Sequence, residues 1–451
     1  MDQIELLRQH GLFDAKVPRY TSYPPANHFG TGTGAFYQKE WLSAVPVGSE
    51  ISIYIHIPFC KRLCWFCACR TQGTKTQRPV DTYIDVLYRE IEAVRHRIPN
   101  GVRMSRLHLG GGTPTILSAC TMKNLLTSLF EAFTKAPEFE FSVEVDPTEA
   151  SKELLQTLLD FGLNRASLGV QDFAPKVQKA IGRKQSLVQT TDVINFLRCG
   201  GVPSLNLDLL YGLPHQTPES FQRTMQHVLD MQPDRLAIYG YAHVPWMSKR
   251  QVMIKDKDLP SSEKRLHLTQ LANQTFCDNG YDAIGIDHFA LPTDSLSKSL
   301  EEHRLQRNFQ GYTDDDTGTL IGLGASAISR FDGGFSQNAP ATAAYSERIQ
   351  ESGLAGVKGY VLSDDDKLRA QIIMDLMCYF EFRESELRSA FPNKIQLIQE
   401  IKGMFEVRAK RLFETVNQNM RLVENAKPLV RIVAAYVDQH VSVQDGHSPA
   451  V

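Results

Sequence analysis

Six short apolar runs, at 51–57, 106–109, 139–145, 165–170, 204–210 and 235–240, recur along the chain with helical spacing between them. Each run is strand-like in length and residue type. The stretch 80–98 places Tyr83, Leu87, Ile91 and Val94 on one helical face, and 125–133, 152–161, 188–199 and 218–231 also read as helices. Strands that alternate with helices pair in parallel, each crossover packing its helix back onto the sheet. The chain is therefore α/β, with a sheet curved or closed as a barrel. Six units are two short of the eight-stranded closed form, so the expectation is a partial (β/α)6 barrel.

The chain has 451 residues, enough for one large α/β domain and appended parts. Residues 1–50 show turn signals (Pro24-Pro25, Gly30, Gly32, Gly34) without strand–helix alternation, and read as an extended N-terminal arm. The barrel and its extension are expected over 51–362, the extension holding a long helix at 261–279 and a glycine-rich segment. Residues 363–451 read as a mostly helical C-terminal domain with a hairpin near 412–423.

A formal net charge of −2 lacks the basic surface that general nucleic-acid binding needs. No run of about 20 apolar residues is present to span a bilayer, and residues 1–16 lack the apolar stretch of a signal peptide. A cytoplasmic location and a monomeric state are the expectations. Of eight cysteines, four crowd into 60–69. In a reducing compartment such crowding points to metal or redox chemistry, not a disulfide framework. Cys120, Cys199, Cys277 and Cys378 stand singly and are expected as buried small apolar residues.

The crowded segment, His56-Ile57-Pro58-Phe59-Cys60-Lys61-Arg62-Leu63-Cys64-Trp65-Phe66-Cys67-Ala68-Cys69, follows the first strand directly. In an α/β barrel that loop opens on the face where active sites sit. Thiolates from Cys60, Cys64 and Cys67 can hold three corners of a [4Fe–4S] cube and leave one iron open to a ligand. Two alternatives stand beside this. Zinc is one, although its four-cysteine sites use two separated pairs. The other is a fully ligated cluster with Cys69 as fourth ligand, two residues beyond Cys67. Phe66, before the third cysteine, either packs in the core or shields a bound adenine.

Gly110-Gly111-Gly112-Thr113-Pro114 ends the second strand, and three glycines let the backbone approach a ligand closely. Glu144, Asp146, Gln171, Asp172 and Asp208 fall near the carboxyl ends of later strands. Each alone could cap a helix or brace a loop, but together they suit a ligand with hydroxyl, amino and carboxylate groups. Arg183, after the fourth strand, is either part of this site or a solvated surface charge.

The spacing C-x-x-x-C-x-aromatic-C on this loop, with the glycine run after the second strand, resembles the radical S-adenosylmethionine superfamily. Further motifs resemble one family within it, the oxygen-independent coproporphyrinogen III oxidases, or coproporphyrinogen dehydrogenases. They are Arg19-Tyr20-Thr21-Ser22-Tyr23-Pro24, Tyr54-Ile55-His56-Ile57-Pro58-Phe59-Cys60, Glu144-Val145-Asp146-Pro147 and Gly169-Val170-Gln171-Asp172-Phe173. Asp208-Leu209-Leu210-Tyr211-Gly212-Leu213-Pro214, Tyr241-Ala242-His243, Asp287-His288-Phe289-Ala290, residues 307–312 and Ser326-Ala327-Ile328-Ser329 continue the match. Ala68 and Arg70-Thr71 depart from the commonest family residues.

The resemblance implies an oxidoreductase of haem biosynthesis. Its expected reaction is oxidative decarboxylation of two propionates of coproporphyrinogen III to vinyls, giving protoporphyrinogen IX. A 5′-deoxyadenosyl radical would take a hydrogen from the propionate β-carbon, and the substrate radical would lose CO₂ and one electron. The implied cofactors are a [4Fe–4S] cluster on Cys60, Cys64 and Cys67 and two molecules of S-adenosyl-L-methionine. By matching motifs, Tyr54, Gly111, Gly112, Glu144, Gln171, Arg183, Asp208 and Ala242 are candidates around the first molecule, and Thr113 is a further cofactor-binding candidate. Phe66, Gly112, Leu210, Ala242, Gln310 and Ile328 are candidates around the second. Tyr54, His56 and Cys69 are candidate catalytic groups, and Arg19 a candidate contact for a substrate carboxylate. An electron donor such as flavodoxin or ferredoxin is implied as a partner. Two other readings are a radical haem-degrading methyltransferase and a related haem-binding chaperone. The chaperone typically lacks the cysteine at Cys69 and the Arg19–Pro24 pattern.

Overall fold

A computed structural model of the chain describes residues 3–441 and Ala450. All six expected strands form: β1 (Glu50–Ile57), β2 (Arg103–Gly111), β3 (Lys135–Val145), β4 (Arg165–Gln171), β5 (Ser204–Tyr211) and β6 (Arg235–Gly240). They lie in parallel, and their order in the sheet is their order in the chain. The crossovers hold α1 (Arg78–Arg95), α2 (Ala119–Ala132), α3 (Lys152–Asp160), α4 (Leu187–Cys199) and α5 (Pro218–Asp230). Ser118, Ser151, Ser186 and Thr217 cap α2 to α5, each side chain accepting a first-turn N–H. Such a cap is worth about 1 kcal/mol. Along α1, Val80, Tyr83, Ile84, Leu87, Ile91 and Val94 are buried on one stripe, each contributing roughly 1.5–3 kcal/mol by leaving water.

A seventh parallel strand, β7 (Leu320–Leu323), pairs with β1 and sets Gly322 opposite Tyr54. Sequence periodicity did not reveal it, because four residues in a glycine-rich stretch are too few to show a pattern. Beyond β7 the sheet turns antiparallel through β8 (Ile328–Phe331), β9 (Gly334–Asn338) and β10 (Gly356–Val361), and on the other flank β6 pairs antiparallel with His288–Ala290. Among the described residues no strand pairing joins the two edges. The fold is an α/β partial barrel carrying an antiparallel extension.

Strand alternation divides the side chains. Ile51, Ile53, Ile55, Ile57, Leu107, Leu109, Phe141, Val143, Leu168, Leu207 and Ile238 join the large core with the helices. Their neighbours turn to the inner face. At the amino ends of the strands that face is filled by paired charges. Arg106 meets Glu140 at 2.9 Å and Asp314 at 3.2 Å, Arg165 meets Glu140 at 3.2 Å, and Arg235 meets Asp294 at 2.6 Å. Buried charges persist only with such partners. They plug one end of the barrel and leave the other for ligands.

Among the described residues of 1–50 stand two α-helices, Gln3–Gln9 and Gly34–Ser43, and a 3-10 turn, Ala26–His28, where only turn signals were legible. Leu6, Leu7, Leu12, Val17, Tyr20 and Tyr23 share an apolar core with Leu368, Ile372, Leu376, Ile401, Leu429 and Val433. The arm then reaches the open end of the barrel, where Arg19 donates to the Gly240 carbonyl at 2.6 Å. Ser363 caps the helix Asp364–Tyr379, and the expected hairpin forms from Phe413–Val416 and Asn419–Leu422. The long helix is α6 (Ser262–Asp278). The single cysteines correct the expectation: Cys378 is buried, but Cys120, Cys199 and Cys277 are exposed. These three lie near helix ends, where the chain meets solvent.

Candidate active site

The cysteine loop leaves β1 at the open end of the barrel. A short parallel pairing of Phe59–Cys60 with Gln72–Gly73 closes its base. Cys60 and Cys64 are buried, Cys67 is half-buried and Cys69 is exposed. Oγ1 of Thr113 donates to Sγ of Cys60 at 3.6 Å, and Nη1 of Arg183 to Sγ of Cys64 at 3.6 Å. The proximity of the two thiols holds Cys67 below the ordinary thiol range and pushes Cys69 above it. Of the two, Cys67 is the readier to act as a thiolate. Arg183 is no surface charge: it is buried, and its Nη1 also meets Asp146 at 3.0 Å. Nη2 of Arg183 donates to the Gly169 carbonyl at 2.8 Å. Burial alone would lower its pKa, but Asp146 and Cys64 raise it above the ordinary value.

The glycine run faces this loop. A Cβ on Gly110 would stand 2.9 Å from Oε1 of Glu144, one on Gly111 2.6 Å from the His56 ring, and one on Gly112 2.6 Å from the Phe59 carbonyl oxygen. Gly111 has φ +112°, a backbone state that favours glycine. Its N–H donates to Oε2 of Glu144 at 3.1 Å. Oη of Tyr54 lies 3.0 Å from Nδ1 of His56, whose Nε2 lies 3.3 Å from the Arg70 carbonyl. A carbonyl can only accept, so Nε2 carries the proton and Nδ1 accepts from Tyr54. Burial keeps this imidazole below its usual pKa and the Tyr54 phenol well above its own.

A polar row crosses the inner face. The Tyr54 and His108 rings stack at 5.8 Å, Nδ1 of His108 meets Oγ of Ser142 at 2.6 Å, and Nε2 of His108 lies 3.6 Å from Glu144. Burial pushes the Glu144 carboxyl up, but His108, the Gly111 N–H and His56 outweigh it and hold it below the ordinary range. Asp208 accepts from Ser167 at 2.9 Å and from Asn206 at 2.7 Å. Burial and the Glu144 charge push it up to about 7. Gln171, at φ +70°, ends β4 beside Arg183. Asp172 does not join them. Fully buried, it accepts from Ala174, Gln216 and Thr224 and braces the loop into α5.

Phe66, Leu210 and Tyr241 share a small apolar cluster with Val177, Ile181 and Leu213. Nε2 of Gln251 donates to the Phe66 carbonyl at 2.7 Å and the Ala242 carbonyl at 3.1 Å, which joins the two segments. Gln310 is exposed on the turn between Gln306–Asn308 and Gly311–Thr313, and its carbonyl accepts from Tyr239 at 3.4 Å. Ile328 opens β8, its carbonyl against Gly322. Tyr83 donates to the His56 carbonyl at 2.7 Å and accepts from the Ala325 N–H at 2.8 Å, pinning the segment before Ile328 to β1. Sequence reading missed His108, Ser142, Ser167 and Asn206, although each shares strand parity with a residue it did find. Gln251 carried no signal.

The site fits an iron–sulfur cube. Three thiols stand on one loop above a glycine cradle that side chains would fill. Among the described residues no three His, Cys, Asp or Glu side chains converge as a single ion requires. A cube spreads three thiolates over three irons and needs no such convergence.

A parallel strand series with this loop at its open end defines the radical S-adenosylmethionine class. The pattern of the Radical SAM superfamily matches residues 54–228, and that superfamily uses a [4Fe–4S] cluster and S-adenosylmethionine. The chain is 45% identical to oxygen-independent coproporphyrinogen III oxidase of Paracoccus denitrificans over the full length of both. It is 42% identical to the protein of that name from Salmonella typhimurium over 80% of this chain and 79% of the relative. The solved structure of coproporphyrinogen III oxidase (HemN) from Escherichia coli, a radical SAM enzyme, matches with a TM-score of 0.89 at 35% identity, covering 95% of this chain and all of the other. The chain belongs to the oxygen-independent coproporphyrinogen III oxidase family.

Proposed function

We propose that this chain converts coproporphyrinogen III to protoporphyrinogen IX by oxidative decarboxylation of two propionates, without oxygen. The observation that carries the reading is the set of Cys60, Cys64 and Cys67 above a barrel mouth lined by Gly110–Gly112, Glu144, Gln171, Arg183 and Asp208. When bound, the cluster and S-adenosylmethionine supply a 5′-deoxyadenosyl radical. Glu144, held ionised, suits the amino group of a first S-adenosylmethionine, and Asp208 with Gln171 its ribose hydroxyls. Arg183 orients the Cys64 thiolate. Phe66, Leu210, Ala242, Gln310 and Ile328 form the surroundings of a second molecule. Tyr54 and the neutral His56 form a proton-holding pair beside the glycines, and Cys69 holds a proton next to the ligand Cys67. Arg19 offers a cation to a propionate as the arm covers the mouth and excludes water from radicals. A flavodoxin or ferredoxin is the expected electron source. We take the chain to act as a cytoplasmic monomer; no helix among the described residues is long and apolar enough to cross a membrane.

The test is an anaerobic assay of the iron- and sulfide-reconstituted protein with coproporphyrinogen III and S-adenosylmethionine. Protoporphyrinogen IX and CO₂ are expected. A methylated tetrapyrrole, or haem bound without turnover, overturns the reading.

A further inference from the structure

The proposed reaction needs an electron from outside the chain, and the surface around the cysteine loop has a consistent character. From residue 51 to 80 the chain carries Lys61, Arg62, Arg70, Lys75 and Arg78 and no carboxylate. From 173 to 191 it carries Lys176, Lys179 and Lys184 at the surface, again with no carboxylate; Arg183 in the same stretch is buried against Asp146. The two stretches lie together. Nη1 of Arg62 donates to the Lys184 carbonyl at 2.9 Å, and the Trp65 N–H to the Ile181 carbonyl at 2.9 Å. On a chain of net charge −2, this positive charge is a local concentration.

A third segment lies against the same loop. Oγ of Ser248 donates to the Cys67 carbonyl at 2.9 Å, and Arg250 donates to Oγ1 and the carbonyl of Thr71 at 2.9 and 2.8 Å. This segment presents Trp246, Met247, Val252 and Met253 at 58%, 68%, 65% and 54% exposure, with Leu63 of the cysteine loop also exposed. Lys249, Lys255 and Lys257 are exposed among them, and the equally exposed Asp256 meets His243 at 2.8 Å. Grouped apolar side chains within a polar rim mark a contact surface. Electron-transfer encounters are small, and complementary charge steers them.

We propose that the exposed apolar residues Leu63, Trp246, Met247 and Met253, rimmed by Lys184, Lys249 and Lys255, dock an acidic one-electron carrier protein that reduces the cluster. The inference rests on the proposed function, which requires that reduction. One electron leaves the carrier's reduced flavin and enters the cluster; no bond forms or breaks at the contact. The lysines set the encounter rate with an acidic surface, and the apolar centre sets the lifetime of the pair.

The probe is an acidic flavodoxin, used anaerobically with the cluster-loaded protein. The variants are Lys184→Glu with Lys249→Glu, and Met247→Ser. Flavodoxin affinity is read by calorimetry, and cluster reduction by stopped-flow absorbance with reduced flavodoxin or with dithionite. The charge reversal should weaken binding and slow flavodoxin-driven reduction about tenfold at low salt, with the gap closing as salt rises. Met247→Ser should raise dissociation at every salt concentration. Reduction by dithionite should match wild type throughout. Absence of flavodoxin binding to wild type overturns the proposal, as do unchanged binding in both variants and equal slowing with dithionite. A raised KM for coproporphyrinogen III with intact flavodoxin binding assigns the patch to the substrate and also overturns it. If dithionite-reduced wild type makes no protoporphyrinogen IX, the proposed function fails, and the binding and reduction readouts still decide the docking surface.

Discussion

Nη1 of Arg183 donates to Sγ of Cys64 while meeting the Asp146 carboxylate, so one buried cation serves a candidate iron ligand and a structural acid together. Removing it leaves Asp146 with the more distant Arg62, at 3.5 Å, as its remaining cation among the described residues, beside two hydrogen bonds from Thr148. Losing one member of a buried pair costs about 3 kcal/mol. Arg183→Met should lower the stability of the iron-free protein by that order in urea denaturation and speed iron loss from the loaded protein. Unchanged stability and iron retention would remove Arg183 from this role.

The thiols divide by role. Cys60→Ala, Cys64→Ala and Cys67→Ala should each lose most iron and all cleavage of S-adenosylmethionine. Cys69→Ala should keep the iron and its absorption while turnover drops. Iron content and the visible spectrum of the anaerobically reconstituted variants decide this; iron loss in Cys69→Ala equal to that in Cys64→Ala makes Cys69 a ligand.

Glu90 of α1 is fully buried and accepts from the Gly324 N–H at 2.6 Å, Tyr345 at 2.7 Å and Asn338 at 2.7 Å. Burial pushes it up to about 7 despite these bonds. The folded chain therefore holds a proton that the unfolded chain releases near pH ~4.3. Stability from this group is full below that pH and is lost as pH rises to about 7, by roughly 3 kcal/mol in all. Urea midpoints between pH 5 and 8 should fall in wild type and fall less in Glu90→Gln. Parallel pH profiles would show that Glu90 is ionised throughout.

Gln310 and Gln251 separate two ways of disturbing the second S-adenosylmethionine. Gln310→Ala should keep the cluster and the first molecule, weaken the second and abolish protoporphyrinogen IX formation. Gln251→Ala frees the Phe66 and Ala242 carbonyls and should weaken the same molecule through their displacement, at a cost of about 1–3 kcal/mol. Glu144→Ala should instead weaken the molecule on the cluster. Anaerobic equilibrium binding of labelled S-adenosylmethionine checks all three. Two molecules bound to Gln310→Ala with wild-type affinity would take Gln310 out of the site.

The strands were legible because each is a short apolar run set between helical stretches, and the helices because their apolar stripes are local. β7 was not, since its pairing with β1 joins residues far apart in sequence. Glu144, Gln171 and Asp208 were legible as polar groups toward the carboxyl ends of strands, and Arg183 in the loop that follows β4; Asp172 was grouped with them, but it braces the loop into α5. The register shift between Gly169 and Gln171, with Gln171 at positive φ, turns the next side chain away from the mouth. Gln251 lay beyond reach because its role depends on two carbonyls from different segments meeting in space.

The apolar core shared by residues 6–23 and 368–437 sets an order of events during synthesis. The arm emerges from the ribosome before the barrel, and its packing partners emerge after it. At 5–20 residues per second, the interval is roughly 20–70 s. Through that time the barrel strands can pair while the mouth near Gly240 stays uncovered. Ribosome-bound chains stalled near residue 360 should take up iron and sulfide faster than the completed protein; equal rates would show that the finished arm is no barrier to assembly.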